Sequence, residues 1–344
     1  MYKRLWWFVV ACVLGMNLAG SASAADLEKK KVTIAVGGKT LFYYLPLTIA
    51  ERRGYFKDEG LEVEIVNLAG GSKALEAMVG GSADIVSGAY EHTINMQARG
   101  IDIKSVELQG RYSGIILGMP KDKAAKYKSP ADLKGMKIGV TAPGSSSNMM
   151  VSNLLAKAGL KPDAVSIIGA GAGPGAVAMM RKGELDAMSN LDPVIHQLEA
   201  NGDIVAVVDT RTAKGMQEVY GGAYGAGSIY LPAAFAQKNP NTTQAVVNAM
   251  VRAQLWIQEN KSNPDTIVAA VPPEYYGNDK ANYKAALMKN LEGYSPDGRM
   301  SMEAAQNVYK VLKAFEPSVM KVDVDLTKTF DNRFVDNALK KYKK

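Results

Sequence analysis

Residues 137–160 read KIGVTAPGSSSNMMVSNLLAKAGL, and they predict a strand, a turn and a helix in succession. The strand covers residues 137–140, and Pro143-Gly144 marks the turn. Serines 145–147 then open a helix whose apolar residues recur at helical spacing from Met149 to Leu155. Free N–H groups and the positive end of the helix dipole suit a small anion at such a turn. Alternatively, a serine side chain would only cap the N-terminus of this helix, without binding a ligand.

The chain contains this arrangement twice. Residues 74–87 and 176–189 align at one constant offset, at which an alanine, a methionine, a glycine, an aspartate and a serine coincide. Upstream, the predicted strands 32–36 and 61–67 correspond to the predicted strands 137–140 and 165–168. The pattern predicts two copies of a β-α-β-α-β module with parallel strands, although two unrelated βαβ units would share some of these matches.

Two crossings between the copies are predicted. Residues 103–121 hold two strand-like pieces on either side of residues 110–114, where we expect the chain to cross to a second lobe. The return is expected within residues 209–222, before a strand at 227–231. Helical patterns follow from residue 241 and should pack on the first lobe. Two crossings predict a hinge and a cleft between the lobes.

The N-terminal segment predicts export. Lys3 and Arg4 precede a short apolar run, and residues 22–24 form a small-x-small cleavage motif, so residues 1–24 are predicted to be a signal peptide. Cys12, the single cysteine, lies in that segment. The mature chain would therefore have no thiol chemistry and no disulfide. Without Lys3 and Arg4 the formal charge falls from +7 to +5, and the basic residues are dispersed, so no nucleic-acid partner is expected.

Several motifs resemble a known family over about residues 31–240. They are Leu45-Pro46-Leu47, Gly54-Tyr55-Phe56, Gly81-Ser82-Ala83-Asp84-Ile85, the run SPADLKGMKIGV at 129–140, Gly183-Glu184-Leu185-Asp186-Ala187 and Asp192-Pro193. The chain resembles the periplasmic substrate-binding proteins of ABC importers with the type II fold, in the nitrate/sulfonate/taurine and thiamine-pyrimidine branch.

This resemblance implies an α/β fold of two lobes, each a mostly parallel sheet flanked by helices, with two hinge crossovers. The lobe boundaries would be residues 25–112 and 213–344 for the first lobe and 113–212 for the second. It also implies a monomer that takes a small-molecule ligand between the lobes and delivers it to an ABC permease in the inner membrane. No cofactor is expected, and the two histidines, His92 and His196, are too far apart in the sequence to predict a metal site or a catalytic triad.

The candidate ligand-binding residues lie at predicted strand ends and crossings. In the first lobe they are Lys39, Thr40, Phe42, Tyr43, Gly71, Ser72, Ser87, Gly88 and Tyr90; at the crossings they are Arg111, Tyr112 and Tyr224; in the second lobe they are Thr141, Ser145, Ser146, Ser147, Asn190 and Asp192.

The candidate side chains leave the ligand class open. Arg111 and Lys39 suit a carboxylate or sulfonate, which favours a small organic anion or a nitrate-like ion. Tyrosines and Phe42, with Asp192, would instead suit a neutral or cationic heteroaromatic ligand such as a thiamine pyrimidine precursor. A fungal pyrimidine-precursor synthase shares this fold but uses cysteines and histidine, so an enzyme is disfavoured for a mature chain without cysteine. A sensory rather than an import role fits the same residues.

Overall fold

The computed structural model describes residues 26–343, so the predicted signal peptide lies outside the described residues. Within this range, ten strands form two five-stranded sheets. In chain order the strands are β1 (Lys31–Val36), β2 (Glu62–Asn67), β3 (Ile85–Ala89), β4 (Ile103–Leu108), β5 (Ile115–Met119), β6 (Lys137–Val140), β7 (Ser166–Gly169), β8 (Ala187–Leu191), β9 (Val205–Asp209) and β10 (Gly227–Pro232).

The two sheets have equivalent topologies. Their strand orders are β2-β1-β3-β10-β4 and β7-β6-β8-β5-β9. β1 pairs in parallel with β2 and β3, as β6 does with β7 and β8. The fourth strand of each order, β10 or β5, is antiparallel to both of its neighbours and enters from the other lobe. The predicted two-lobed α/β fold with two crossovers is confirmed.

Helices cover the faces of both sheets. They are α1 (Leu45–Arg52), α2 (Tyr55–Asp58), α3 (Gly71–Val79), α4 (Glu91–Ala98), α5 (Lys121–Ala124), α6 (Ser146–Lys157), α7 (Pro174–Arg181), α8 (Val194–Ala200), α9 (Ala213–Tyr220), α10 (Ala233–Lys238), α11 (Pro240–Asn260), α12 (Pro264–Ala269), α13 (Lys280–Asn290), α14 (Met302–Lys313), α15 (Pro317–Met320) and α16 (Arg333–Tyr342). Among the residues described, no helix combines the length and the apolar character needed to cross a bilayer.

Burial explains why the central strands read as nearly continuous apolar runs. β3 and β8 are buried along their whole length, because helices lie on both faces of each sheet. Outer strands such as β2 alternate between exposed and half-buried residues. α14 is amphipathic, and its N-cap Ser301 accepts a hydrogen bond from the Ala304 N–H (3.1 Å). The local pattern and the tertiary packing therefore agree over most elements.

The chain passes between the sheets at residues 109–114 and 210–226. α9 lies in the second of these passages and contacts both lobes. The side chains of Asn153 and Lys157 on α6 donate hydrogen bonds to its carbonyls (3.0 and 2.8 Å), and its other side packs on α14. We therefore propose that the lobes divide at residues 112 and 212, with α9 in contact with both lobes.

Candidate ligand-binding cleft

A small cavity lies between the lobes at the carboxyl ends of β1, β3, β6 and β8. Its volume is ≈ 20 Å³, which admits about one water molecule. We call it the central cavity. The first lobe contributes Gly37, Leu41, Tyr43, Tyr44, Gly71 and Ala89, and the second contributes Ile115, Thr141, Ser145, Ser146, Ser147 and Leu191. Crevices at the carboxyl ends of strands are the usual ligand sites of open α/β sheets.

Direct contacts between the lobes close this cavity. The Ser72 N–H donates to the Ser145 Oγ (3.0 Å), and the Ser72 hydroxyl donates to the Pro143 carbonyl (2.8 Å). A Cβ atom placed on Gly70 would lie 2.7 Å from the Cβ of Ala142. Glycine at position 70 therefore permits this approach, and the N-termini of α3 and α6 meet across the seam.

The α6 terminus is held by its own hydroxyl groups. The Thr141 N–H donates to the Ser147 Oγ (3.0 Å), and the Thr141 and Ser147 hydroxyls lie 2.8 Å apart. Gly144 has a φ of +81°, a conformation that glycine adopts without strain, and its N–H donates to the Asn148 Oδ1 (2.9 Å). The first N–H groups of an α-helix have no intrahelical acceptor, so the turn is preorganised around free donors.

Tyrosines surround one buried carboxylate beside the central cavity. We call Tyr43, Tyr44, Glu91, Tyr220, Tyr224 and Tyr230 the tyrosine–glutamate cluster. Burial raises the pKa of Glu91 to about 7, against a partial lowering by its own backbone N–H and by Tyr224. The Tyr224 hydroxyl donates to the Glu91 Oε1 (3.1 Å). Burial is the main cause of the raised pKa values of the five tyrosines, and the nearby Glu91 charge adds to it.

Two polar atoms of this cluster lack hydrogen-bond partners within residues 26–343. They are the Glu91 Oε2 and the Tyr43 hydroxyl, and both are buried. Tyr43 lies edge-on to Tyr44 with ring centroids 5.2 Å apart, while Tyr220 stacks on Tyr224 at 4.2 Å. Buried polar groups in native proteins nearly always have partners, so these two atoms leave hydrogen-bonding capacity open in the cluster, and Tyr43 also lines the central cavity.

His92 bridges the lobes at the edge of the cleft. Its Nε2 lies 3.4 Å from the Gly144 carbonyl of the second lobe, and its Nδ1 lies 3.1 Å from the Tyr230 hydroxyl. The carbonyl can only accept, which assigns the proton to Nε2. Burial lowers the pKa of His92 to about 4, so the ring is neutral at physiological pH. Ser72 and His92 also line a groove of ≈ 800 Å³ along the outside of the seam.

A second cavity, of ≈ 30 Å³, lies beside the crossovers and is lined by Phe42, Tyr112, Asp192 and Arg211 among others. We call it the hinge cavity. The Asp192 Oδ2 accepts from Arg211 Nη1 (3.1 Å) and from Asn290 Nδ2 (2.7 Å), and its Oδ1 accepts from the His196 N–H (2.9 Å). Asp192 is thus held by an ion pair and caps a helix start, and its expected contact with a ligand amine stays a prediction.

The predicted residues fall into two groups. Six predicted residues line the central cavity: Tyr43, Gly71, Thr141, Ser145, Ser146 and Ser147. Three line the hinge cavity: Phe42, Tyr112 and Asp192. Ser72 lies at the seam between the lobes, and Tyr224 donates a hydrogen bond to Glu91. The other seven lie outside both cavities: Lys39, Thr40, Ser87, Gly88, Tyr90, Arg111 and Asn190. Of these, Arg111 lines a third cavity, of ≈ 440 Å³, together with Tyr112 and Tyr224.

The partners of the outlying residues explain their positions. Lys39 pairs with Glu51 (2.9 Å), and Arg111, whose side chain is 47% exposed, lies against Glu292. Ser87 and Tyr90 are satisfied within the first lobe by Gln109 and Thr329. The remaining three are accounted for as follows: Gly88 packs against Tyr230, Asn190 donates to the Gly171 carbonyl, and Thr40 is half-buried. Of the residues described, none that lines the central cavity is basic.

Sequence reasoning missed Glu91, His92, Tyr220 and Tyr230 as site residues, whereas Tyr44 was expected to stack on a ligand beside Phe42 and Tyr43. Glu91 and His92 directly follow β3 and Tyr90, so the rule on strand carboxyl ends extends to them. Tyr220 and Tyr230 come from α9 and β10, far away in the chain, and no local signal identifies them.

Comparisons with known proteins agree with this architecture. Residues 25–271 match the NMT1-like family. The nitrate/nitrite binding protein NrtA of Nostoc sp. is 24% identical over 311 residues, covering 84% of this chain and 68% of that protein. A 4-amino-5-hydroxymethyl-2-methylpyrimidine phosphate synthase of Saccharomyces cerevisiae is 27% identical over 139 residues. The match to this synthase covers 40% of the chain and only 39% of the synthase.

Two solved structures share the fold. A protein of Bordetella bronchiseptica RB50 is 55% identical, with a TM-score of 0.88, and the match covers 93% of this chain and all of that one. The alkanesulfonate-binding protein SsuA of Xanthomonas axonopodis pv. citri, bound to MOPS, is 18% identical, with a TM-score of 0.68, over 89% of this chain and all of that one. Because the family match spans well over half of its residues, the chain belongs to the NMT1-like family.

Proposed function

We propose that this protein is a periplasmic solute-binding protein of an ABC importer, which captures a small organic anion between its lobes and delivers it to an inner-membrane permease. One observation carries the proposal: the N-termini of α3 and α6, one from each lobe, meet at the same cavity, which Gly71 lines from α3 and Ser146 and Ser147 line from α6. The nitrate- and sulfonate-binding proteins to which the chain is similar support the same ligand class.

The anion would be held mainly by helix termini and hydroxyl groups. Backbone N–H groups at a helix N-terminus and the helix dipole together attract negative charge, each dipole contributing about 0.3–1 kcal/mol. Gly71, Ser145, Ser146 and Ser147 line the cavity and place two such termini on it. This arrangement does not require Arg111 or Lys39, which are paired with carboxylates elsewhere.

Ligand entry would require the lobes to separate. The central cavity is too small for an organic acid, and the Ser72–Ser145 contacts close it. The two chain passages at residues 109–114 and 210–226 would act as the hinge, so that the ligand replaces contacts between the lobes. In this proposal the protein is monomeric, makes and breaks no bond, and reaches the periplasm through the segment at residues 1–24.

The tyrosine–glutamate cluster favours a second candidate, a heteroaromatic ligand such as a pyrimidine precursor. Tyr43 and Tyr44 border the cavity and offer ring faces and edges. The partial similarity to the yeast pyrimidine phosphate synthase supports this ligand class, although its match ends well short of the full length of either protein. The two candidates share the cavity and differ in ligand charge.

A thermal-shift panel tests the proposal. We expect one class among nitrate, alkanesulfonates, carboxylates and pyrimidines to raise the melting temperature, because a ligand that binds only the native state stabilises it by RT ln(1 + [L]/Kd). Small-angle scattering should report a change in radius of gyration with the same ligand. If no class stabilised the protein, a role in solute capture would be contradicted.

A further inference from the structure

Glu91 is an unusual residue to find beside an anion-binding cleft. Its side chain is buried, with the residue only 2% exposed, and it makes no salt bridge within the described residues. Tyr224 satisfies one of its oxygens, and the other has no partner. A buried carboxylate in this state costs free energy, and a hydrogen-bond donor on a ligand would offset that cost.

The surroundings of Glu91 fit a positively polarised nitrogen. A buried carboxylate oxygen and tyrosine hydroxyl oxygens are hydrogen-bond acceptors that the N–H groups of an ammonium or amidinium can use. Five tyrosines lie close enough to Glu91 for its charge to act on their hydroxyls. Tyr43 belongs both to this cluster and to the lining of the central cavity, and its hydroxyl is also unpartnered.

We propose that Glu91 determines ligand specificity: its free carboxylate oxygen accepts a hydrogen bond from an amine or amidine nitrogen of the ligand, while the acidic group of the same ligand rests at the N-termini of α3 and α6. The ligand class is then an organic acid that also carries a nitrogen donor. This inference rests on the proposed capture of a small anion in the central cavity and assigns to Glu91 the contact with a ligand nitrogen.

Matched probe pairs test the inference by titration calorimetry. Each pair differs in one amino group: taurine and ethanesulfonate, β-alanine and propionate, 3-aminomethylbenzoate and 3-methylbenzoate. A charge-assisted hydrogen bond to a buried carboxylate corresponds to about a tenfold or greater difference in Kd. We expect the wild-type protein to prefer the amine-bearing member of at least one pair by about tenfold at pH 8.

Two variants separate selectivity from folding. Glu91→Gln keeps an oxygen acceptor for Tyr224 and removes the charge, and we expect it to lose the tenfold preference. Glu107→Gln is the matched control, because Glu107 is equally buried in the same lobe and also has an unpartnered Oε2. Its other oxygen accepts a hydrogen bond from Gln254, between β4 and α11 and away from the cluster. The control should keep the preference.

A pH series on the wild-type protein makes the test independent of how the variant folds. The charged or titratable groups facing Glu91 are tyrosines with raised pKa values and the neutral His92, so Glu91 is the group that ionises between pH 5 and pH 8. The amine preference should therefore fall towards unity at pH 5.

Each outcome has a distinct meaning. Equal affinity within every pair, or a preference that survives in Glu91→Gln and at pH 5, would overturn the inference and leave anion capture standing. Binding of no probe by the wild-type protein would overturn the proposed function and this inference with it.

Discussion

Replacing Glu91 with glutamine should change how the stability of the protein depends on pH. The wild-type carboxyl has a pKa raised to about 7 by burial, against an ordinary value of 4.5. Since one pKa unit corresponds to 1.36 kcal/mol, the ionised form of Glu91 destabilises the folded state by about 3 kcal/mol. Glutamine does not ionise and avoids this cost at every pH.

The sign and the pH window follow from linkage. Below pH 4.5 Glu91 is protonated in both the folded and the unfolded states, and it carries no penalty. As the pH rises from 4.5 through 7, the unfolded carboxyl ionises first, so the wild-type protein loses stability. The free energy of unfolding of Glu91→Gln minus that of the wild type should therefore rise by about 3 kcal/mol between pH 4 and pH 8.

Urea denaturation of both proteins at several pH values measures this difference. The wild-type curve must be subtracted from the variant curve because His92 has the opposite effect on stability. Its pKa is lowered to about 4, so it increases the free energy of unfolding as the pH rises towards 6.5. Both proteins share His92 and the buried Glu107, so their contributions cancel. The new amide can add a constant to the difference in the free energy of unfolding, so only the change of that difference with pH tests Glu91. A difference that varied by less than about 0.5 kcal/mol from pH 4 to pH 8 would refute the reasoning on Glu91.

Three further predictions concern closure and the outlying residues. Gly70→Ala should hold the lobes apart, since its Cβ would lie 2.7 Å from that of Ala142. Scattering should then show a larger radius of gyration, and calorimetry should show about a tenfold weaker ligand affinity. The control Gly175→Ala, which has no atom within 4 Å of the new Cβ, should match the wild type in both measurements. Arg111→Ala should change the free energy of unfolding by less than about 0.5 kcal/mol and leave ligand affinity unaltered, because its pair with Glu292 is exposed; a large loss of affinity would return Arg111 to the site. Asp192→Asn should lower the free energy of unfolding by about 1.5 kcal/mol in urea, because it removes the charge of one of three carboxylates around Arg211 while Glu199 and Asp209 remain, and an unchanged midpoint would contradict that structural role.

The positions of Arg111 and Lys39 show the limits of reading polar residues from a sequence. Both follow predicted strand ends, where ligand contacts are expected. The direction of each side chain depends on distant carboxylates, Glu292 near the end of α13 and Glu51 on α1. An isolated basic residue at a crossing has no local signal that distinguishes a ligand contact from a surface ion pair.

Local chemistry alone determined the two β-α-β-α-β modules and the serine-rich helix starts. Apolar runs, glycine turns and helix-start residues are short-range features, and the carboxyl ends of parallel strands must share one edge of a sheet, so Gly71 and Ser145–Ser147 could be assigned to a common cleft. The tyrosine–glutamate cluster was decided only by tertiary structure. Burial is not a local property: Glu91 reads as an ordinary polar residue at a helix start until α9 and β10, more than 120 residues later, bring Tyr220, Tyr224 and Tyr230 around it and remove its water.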